Sequence, residues 1–177
     1  MPHIYISLKS KCRRRLESGV AAIEFVIVLI PLLLIVAGIV EFGKVIWYYD
    51  ALTKATRDGA RLMSMADKET IEDAMNNAQT LVINTVKDAR VSPDLTSGNE
   101  GNVRAECLSA DYKPQSCTNG TAPINVRVRI VNFNVDLGEW IPFIFNTSDG
   151  IDTIDWNDIS LSPSTTMRYM CTGSEPC

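Results

Sequence analysis

Histidine is almost missing from this chain of 177 residues; its single copy is His3. Hydrolytic chemistry needs a nucleophile, a base and a group that orients the base. With the imidazole confined to the first residues, a hydrolase has little to work with. No Cys-x-x-Cys pair occurs either, so a structural zinc site lacks its usual ligand set. A P-loop and a dinucleotide-binding glycine fingerprint are both missing, which removes two common cofactor classes. There is no basic surplus: the formal net charge is −4, which argues against nucleic acid as a partner. No internal repeat is evident. The expectation is a protein that is not an enzyme and carries no cofactor.

One long apolar run is present. Val20 to Val40 contains a single charge, Glu24. At about 1.5 Å per helical residue it reaches roughly 31 Å, close to the ~30 Å apolar thickness of a bilayer. Lys9, Lys11, Arg13, Arg14 and Arg15 precede it, against Glu17, so residues 1–19 carry +4 and the remainder −8. Basic residues beside a span stay on the cytoplasmic side. The N-terminus is therefore expected inside, and the residues after Val40 outside.

Small and charged residues at the start of the run suggest processing. A secretory signal is cut after its apolar stretch. Here Gly19 stands before it, so a cut between Gly19 and Val20 sheds the charges and keeps the apolar helix. Val20 then gains a free α-amine, and Glu24 lies one helical turn away. A carboxylate inside a membrane span costs up to a few kcal/mol and is often functional. Pairing with the new amine, its own or a neighbouring subunit's, offsets that cost. Glu24 is thus a candidate docking carboxylate. Pro31 leaves the carbonyl of Ile27 without its usual helical partner, a mild kink or a point of adjustment.

Cysteines agree with the orientation. Cys12 falls inside, whereas Cys107, Cys117, Cys171 and Cys177 fall outside. Four cysteines in an oxidising compartment suggest two disulfides and allow three pairings. Close neighbours close loops at low entropic cost, which favours Cys107–Cys117 and Cys171–Cys177.

The rest of the chain divides by period. Helix continues past Val40, with Trp47, Tyr48 and Tyr49 as a candidate interfacial belt. Ala51, Ala55, Gly59 and Ala60 form a small-residue face open to close backbone approach. Asp67 is a candidate N-cap for a stripe of Ile71, Met75, Ala78, Val82, Thr85 or Val86, and Ala89. One helix or two over residues 50–90 is left open. After Gly101 the period becomes strand-like. Residues 102–108, 124–135 and 158–170 are strand candidates, with a bulge or a doubly buried face at Val131 and a break or edge at Pro163. Residues 137–145 form a dense apolar patch. Asp149, Asp152, Asp155 and Asp158 recur every third residue. That spacing does not match an EF-hand loop, so a solvated acidic loop is the default and calcium the alternative.

The expected fold is α+β: a basic cytoplasmic leader (1–19), a transmembrane helix (20–49), an amphipathic helical neck (50–91) and a small antiparallel, disulfide-bonded β-rich domain (92–177).

Gly19-Val20-Ala21-Ala22-Ile23-Glu24-Phe25 resembles the processing site of type IV pilin-like proteins. Phe42-Gly43, and Asp50 through Arg57-Asp58-Gly59-Ala60-Arg61, resemble TadE-like pseudopilins, whose membrane helix runs into a similar Arg-Glu-Gly-Ala-Arg signature. Thr165-Thr166-Met167-Arg168 is similar to the end of that family's domain. The resemblance implies a bacterial minor pilin of the tight-adherence (Flp) pilus. It would be cut by a prepilin peptidase and held as a single pass in the inner membrane with a periplasmic C-terminal domain. Its expected partners are other pilins and pseudopilins, the inner-membrane assembly platform and membrane lipid, and its role is to initiate or modulate pilus assembly and adhesion. The alternatives are a TadF-like or type II secretion pseudopilin, and a permanently anchored envelope domain acting as a ligand or calcium sensor.

Overall fold

The computed structural model describes residues 9–98, 101–135 and 159–170, with side chains from Val20 onward. Helix α1 (Lys9–Ser64) is followed by a 3-10 turn (Lys68–Thr70) and α2 (Ile71–Asp88). Strands β1 (Val103–Leu108), β2 (Pro114–Gln115), β3 (Asn125–Ile130), β4 (Phe133–Val135), β5 (Ile159–Leu161) and β6 (Ser164–Arg168) complete the order. This is the α+β class read from the sequence. Two compact units divide the chain, Met1–Phe42 and Gly43–Cys177.

Among its described residues the first unit is α1 alone, with Pro31 inside it. A helix satisfies its backbone polar groups internally, as a chain in lipid must.

In the second unit, α1 contributes Leu52, Ala55, Thr56, Gly59, Ala60 and Met63, all buried. Their three- and four-residue steps make one stripe. α1 stops at Ser64, and Asp67 caps the following 3-10 turn by accepting from the Glu69 N–H at 3.3 Å. The open question over residues 50–90 thus resolves to two helices. The buried face of α2 is Ile71, Ala74, Ala78, Val82 and Val86. Ala74 takes the place expected for Met75, which lies half-buried at the core's edge beside Ile83 and Ala89.

The main sheet has the order β2-β1-β3-β6 and is antiparallel throughout. Val103, Ala105 and Cys107 pair with Ile130, Val128 and Val126, and all six are buried in one core with both helices. Period-2 alternation then sends Arg104, Glu106, Arg127 and Arg129 to the opposite face. Ile124, expected at the head of the β3 stripe, is exposed, and Asn125 is buried instead.

The expected single strand over 124–135 is two strands. The Ile130 N–H donates to the Pro163 carbonyl at 3.0 Å, and Phe133 pairs with Leu161. Val131 and Asn132 therefore lie opposite Ser162 alone, which is the two-against-one count of a β-bulge. Asn132 takes up the kink at φ 53. The Asn102 amide clamps it, donating to the carbonyls of Val131 at 3.2 Å and Asn132 at 3.0 Å.

Cys107 and Cys117 are bonded, with Cα atoms 5.3 Å apart, as the close-neighbour pairing expects. The segment after the bridge does local work. Thr70 gives α2 no side-chain cap. Asn119 supplies one from a distance: its Oδ1 accepts from the Glu72 N–H at 3.0 Å, and its own N–H donates to Glu72 Oε1 at 3.3 Å.

Candidate functional site

The candidate site is α1 itself. Helical backbone runs through Gly19 and Val20, so the two residues flanking the expected cut lie in continuous helix. Glu24 and Phe25 are exposed one turn further on. Glu24 makes no ion pair or hydrogen bond among the described residues.

From Val20 to Val40 no residue is buried, and fourteen large apolar side chains are exposed, from Val20 at 66% to Val40 at 51%. Burying each fully is worth about 1.5–3 kcal/mol. The sum is on the order of 20 kcal/mol or more, which exceeds the net stability of a typical domain. This stretch requires an apolar surrounding that the described fold does not supply. Its length and composition suit a membrane span. Beyond it Phe42, Ile46, Trp47 and Tyr49 stay exposed, while Tyr48 joins the core at 8% exposure. Of the expected aromatic belt, two of three members therefore face outward.

The five signature residues divide in two. Gly59 and Ala60 are buried, whereas Arg57, Asp58 and Arg61 are exposed. A Cβ on Gly59 would stand 2.8 Å from Val82 Cγ2, 3.4 Å from the Ala78 carbonyl oxygen and 3.5 Å from Val128 Cγ1. The close approach expected of the small-residue face is thus made by this chain's own α2 and β3. Nearby, the Thr56 and Thr165 hydroxyls lie 3.1 Å apart, tying α1 to β6. The Met170 N–H donates to the Ser64 carbonyl at 2.8 Å, and the Tyr169 hydroxyl donates to the Ala66 carbonyl at 2.7 Å. Burial, and then the Asp67 carboxylate, raise the Tyr169 pKa above its ordinary value.

Charge is concentrated on the sheet face away from the core. Glu106 Oε2 meets Arg127 at 2.5 Å and Oε1 meets Arg129 at 2.6 Å. Burial alone would raise the Glu106 pKa. The Arg127 hydrogen bond and the two guanidinium charges outweigh it and hold the carboxyl below its usual range. A cavity of about 130 Å³ is lined by Ile83, Val86, Val91, Leu95, Lys87 and Asp94; small-molecule sites usually exceed ~300 Å³. Among the described residues no group of three His, Cys, Asp or Glu is placed to hold a metal.

Cys171, Cys177, the apolar patch at 137–145 and the acidic positions Asp149, Asp152, Asp155 and Asp158 lie outside the described residues. Sequence reasoning missed the Glu106 pair with Arg127 and Arg129, the Thr56–Thr165 contact and the Asn119 cap. The alternation of charges along β1 and β3 was the available signal for the first. The other two join residues too far apart for any local pattern.

Neither a curated protein nor a solved structure matches the chain. The likeness drawn from Thr165–Arg168 stands outside the family match, which ends with the signature. Residues 19–61, from the glycine before the apolar run to the last signature arginine, match the family model of TadE-like proteins, which ties the chain to the tight-adherence pilus as a pilus component rather than an enzyme.

Proposed function

We propose that the chain is a minor pilin of the tight-adherence pilus, made as a precursor with a basic leader (1–19) and matured by a prepilin peptidase between Gly19 and Val20. The observation that carries this reading is an apolar helix exposed on all sides, with Glu24 one turn from that bond and a folded domain behind it. The peptidase removes the +4 leader that pins the precursor's N-terminus at the cytoplasmic face. The mature helix then starts with an amine and an apolar run, in the inner membrane, with residues 20–49 as its span. Residues 50–91 form the helical neck and residues 92–177 the rest of the periplasmic domain. Glu24 receives the amine of a neighbouring subunit, which fixes the depth at which a new helix stops sliding. Burying an unpaired carboxylate is costly and pairing relieves it, so the docked register is favoured over its neighbours. Pro31 gives the helix a place to adjust as it leaves lipid for a helical array. The chain acts with other pilins, pseudopilins and the assembly platform to initiate or modulate the fibre.

The test is N-terminal sequencing of the protein recovered from membranes that contain an active prepilin peptidase. A start at Val20 is expected. Recovery of the intact precursor alone overturns the reading. In the same cells, Glu24→Ala is expected to leave cleavage and membrane insertion intact and to abolish piliation.

A further inference from the structure

Three signature residues are left over by the fold. Gly59 and Ala60 are used internally, against α2 and β3. The side chains of Arg57, Asp58 and Arg61 are exposed and form no ion pair or hydrogen bond among the described residues. Their neighbour Lys54, by contrast, is paired with Asp50 at 2.6 Å. Arg57 and Arg61 stand four residues apart on one face, a like-charge spacing that weakens an isolated helix by a few tenths of a kcal/mol. Nothing in the domain compensates for this.

Distance decides which anion is met. Arg57 lies ten residues past Trp47 and Arg61 fourteen, or about 15 and 21 Å along the helix axis. The headgroup layer beyond the apolar core is only about 5–8 Å deep on each side. With Trp47 at the interface, both guanidinium groups stand clear of lipid. A second copy is also a poor fit. Helices inserted with one topology run parallel, and in register each arginine faces itself. A slide of seven residues brings Asp50 level with Arg57 but puts Lys54 level with Arg61. A slide of three brings Asp58 level with Arg61 but puts Lys54 level with Arg57. Both gain one attraction and add one repulsion.

We propose that the exposed face of α1 carrying Arg57, Asp58 and Arg61 is the docking surface for a different pilus subunit, through carboxylates spaced about one helical turn apart on a segment lying alongside α1. This rests on the pilin reading and names the partner class for the part of the helix beyond the membrane. Gly59 and Ala60 fix the helix to its own domain, and the three charged residues between and beside them present the opposite side to the neighbour. Guanidinium groups suit this role, because their planar fork holds a carboxylate in a defined geometry.

The experiment uses the full chain in membranes of cells making the pilus. A benzophenone amino acid is placed at position 58, or at position 77 on the exposed side of α2 as a control, and irradiated. The expected adduct forms from position 58 and maps, by peptide sequencing, to a carboxylate-bearing segment of another pilus protein. Combining the probe with Arg57→Glu and Arg61→Glu lowers its yield at least ~10-fold, since like-charge juxtaposition costs several kcal/mol. Accumulation and the Cys107–Cys117 bond stay unchanged. If the reversal does not accumulate, Arg57→Gln with Arg61→Gln replaces it, and a loss of ~3-fold or more is expected. No adduct, an adduct insensitive to both variants, or one formed only with lipid or with a second copy overturns the proposal. The mature N-terminus read from the same membranes judges the pilin reading separately: a start at Val20 without the adduct sinks the docking surface alone.

Discussion

The two stretches of α1 share one backbone conformation and almost nothing else. From Val20 to Val40 side chains are apolar around the whole circumference and none is buried. From Leu52 to Met63 a single stripe is buried, and the remaining faces carry Asp50, Lys54, Arg57, Asp58 and Arg61. Helix propensity does not separate them. What differs is where each finds its surroundings. The second stretch packs on α2 and β3 of its own chain, so its residue sizes are dictated by contacts that folding makes. The first has no such contacts, so its residues are constrained by hydropathy and not by shape.

Glycine is the sharpest probe of that contrast, because α1 holds one beside a neighbour and two in open space. Gly59 has Val82 within 2.8 Å of where a Cβ would stand, whereas Gly38 and Gly43 have nothing within 4 Å. Gly59→Leu forces a four-carbon side chain into a closed contact and is expected to cost about 3 kcal/mol or more. Gly59→Ala is expected to cost about 1–2 kcal/mol, overpacking being partly offset by better helix propensity. The same leucine at position 38 or 43 is expected to leave the melting temperature of the detergent-solubilised protein unchanged or slightly higher. Equal effects at positions 43 and 59 would break the comparison.

The disulfide tests the internally supported half at a second place. It closes the loop that delivers Asn119 to the start of α2. Replacing Cys107 and Cys117 by alanine is expected to cost about 2–4 kcal/mol. Asn119→Ala, which removes the distant cap and leaves the bridge, is expected to cost about 1 kcal/mol. Both are read from thermal melting. Neither change should alter membrane insertion, which depends on the unsupported half. If Asn119→Ala cost as much as loss of the bridge, the cap and not the cross-link would be the main contribution of this loop.

How much of this was legible follows from the range of each signal. The apolar run, the charge asymmetry around Gly19 and the α+β class are local properties and were readable. So was the stripe of α2, except that Ala74 replaced Met75; a period of 3.6 does not say which of two adjacent residues meets the partner. The break at Met65–Asp67 was undecided because Asp67 is a good cap but Met63 to Ala66 carries no stop signal. The bulge at Val131 was visible as a change of phase. Its consequence, a shift from one ribbon to another, was not, because it depends on pairing with Ser162 and Pro163 thirty residues away. The small-residue face showed that a backbone comes close. That the backbone is the chain's own needed the tertiary contact with Val82. The carboxylate expected to matter, Glu24, was found because a charge inside an apolar run is conspicuous, whereas Glu106 hid in an ordinary strand alternation.

Those two carboxylates give the finest version of the contrast. Glu106 has its cations in the chain, Arg127 and Arg129. Glu24 makes no such pair among the described residues. Glu106 has a folded-state pKa below its ordinary 4.5, so the ionised form is favoured by folding. Its contribution is fully present above pH ~4.5 and is lost as pH falls through the lower folded value. Half-exposed arginines limit the size to about 1 kcal/mol. Glu106→Gln is therefore expected to lower the melting temperature of the solubilised protein by a few degrees at pH 7. Below the ordinary carboxylate range the gap should narrow toward zero. Glu24→Ala is expected to leave the melting temperature unchanged across the same range while blocking assembly in cells. A pH-independent deficit for Glu106→Gln would mean that its packing matters more than its charge. A melting deficit for Glu24→Ala would mean that this carboxylate, too, finds its partner within its own chain.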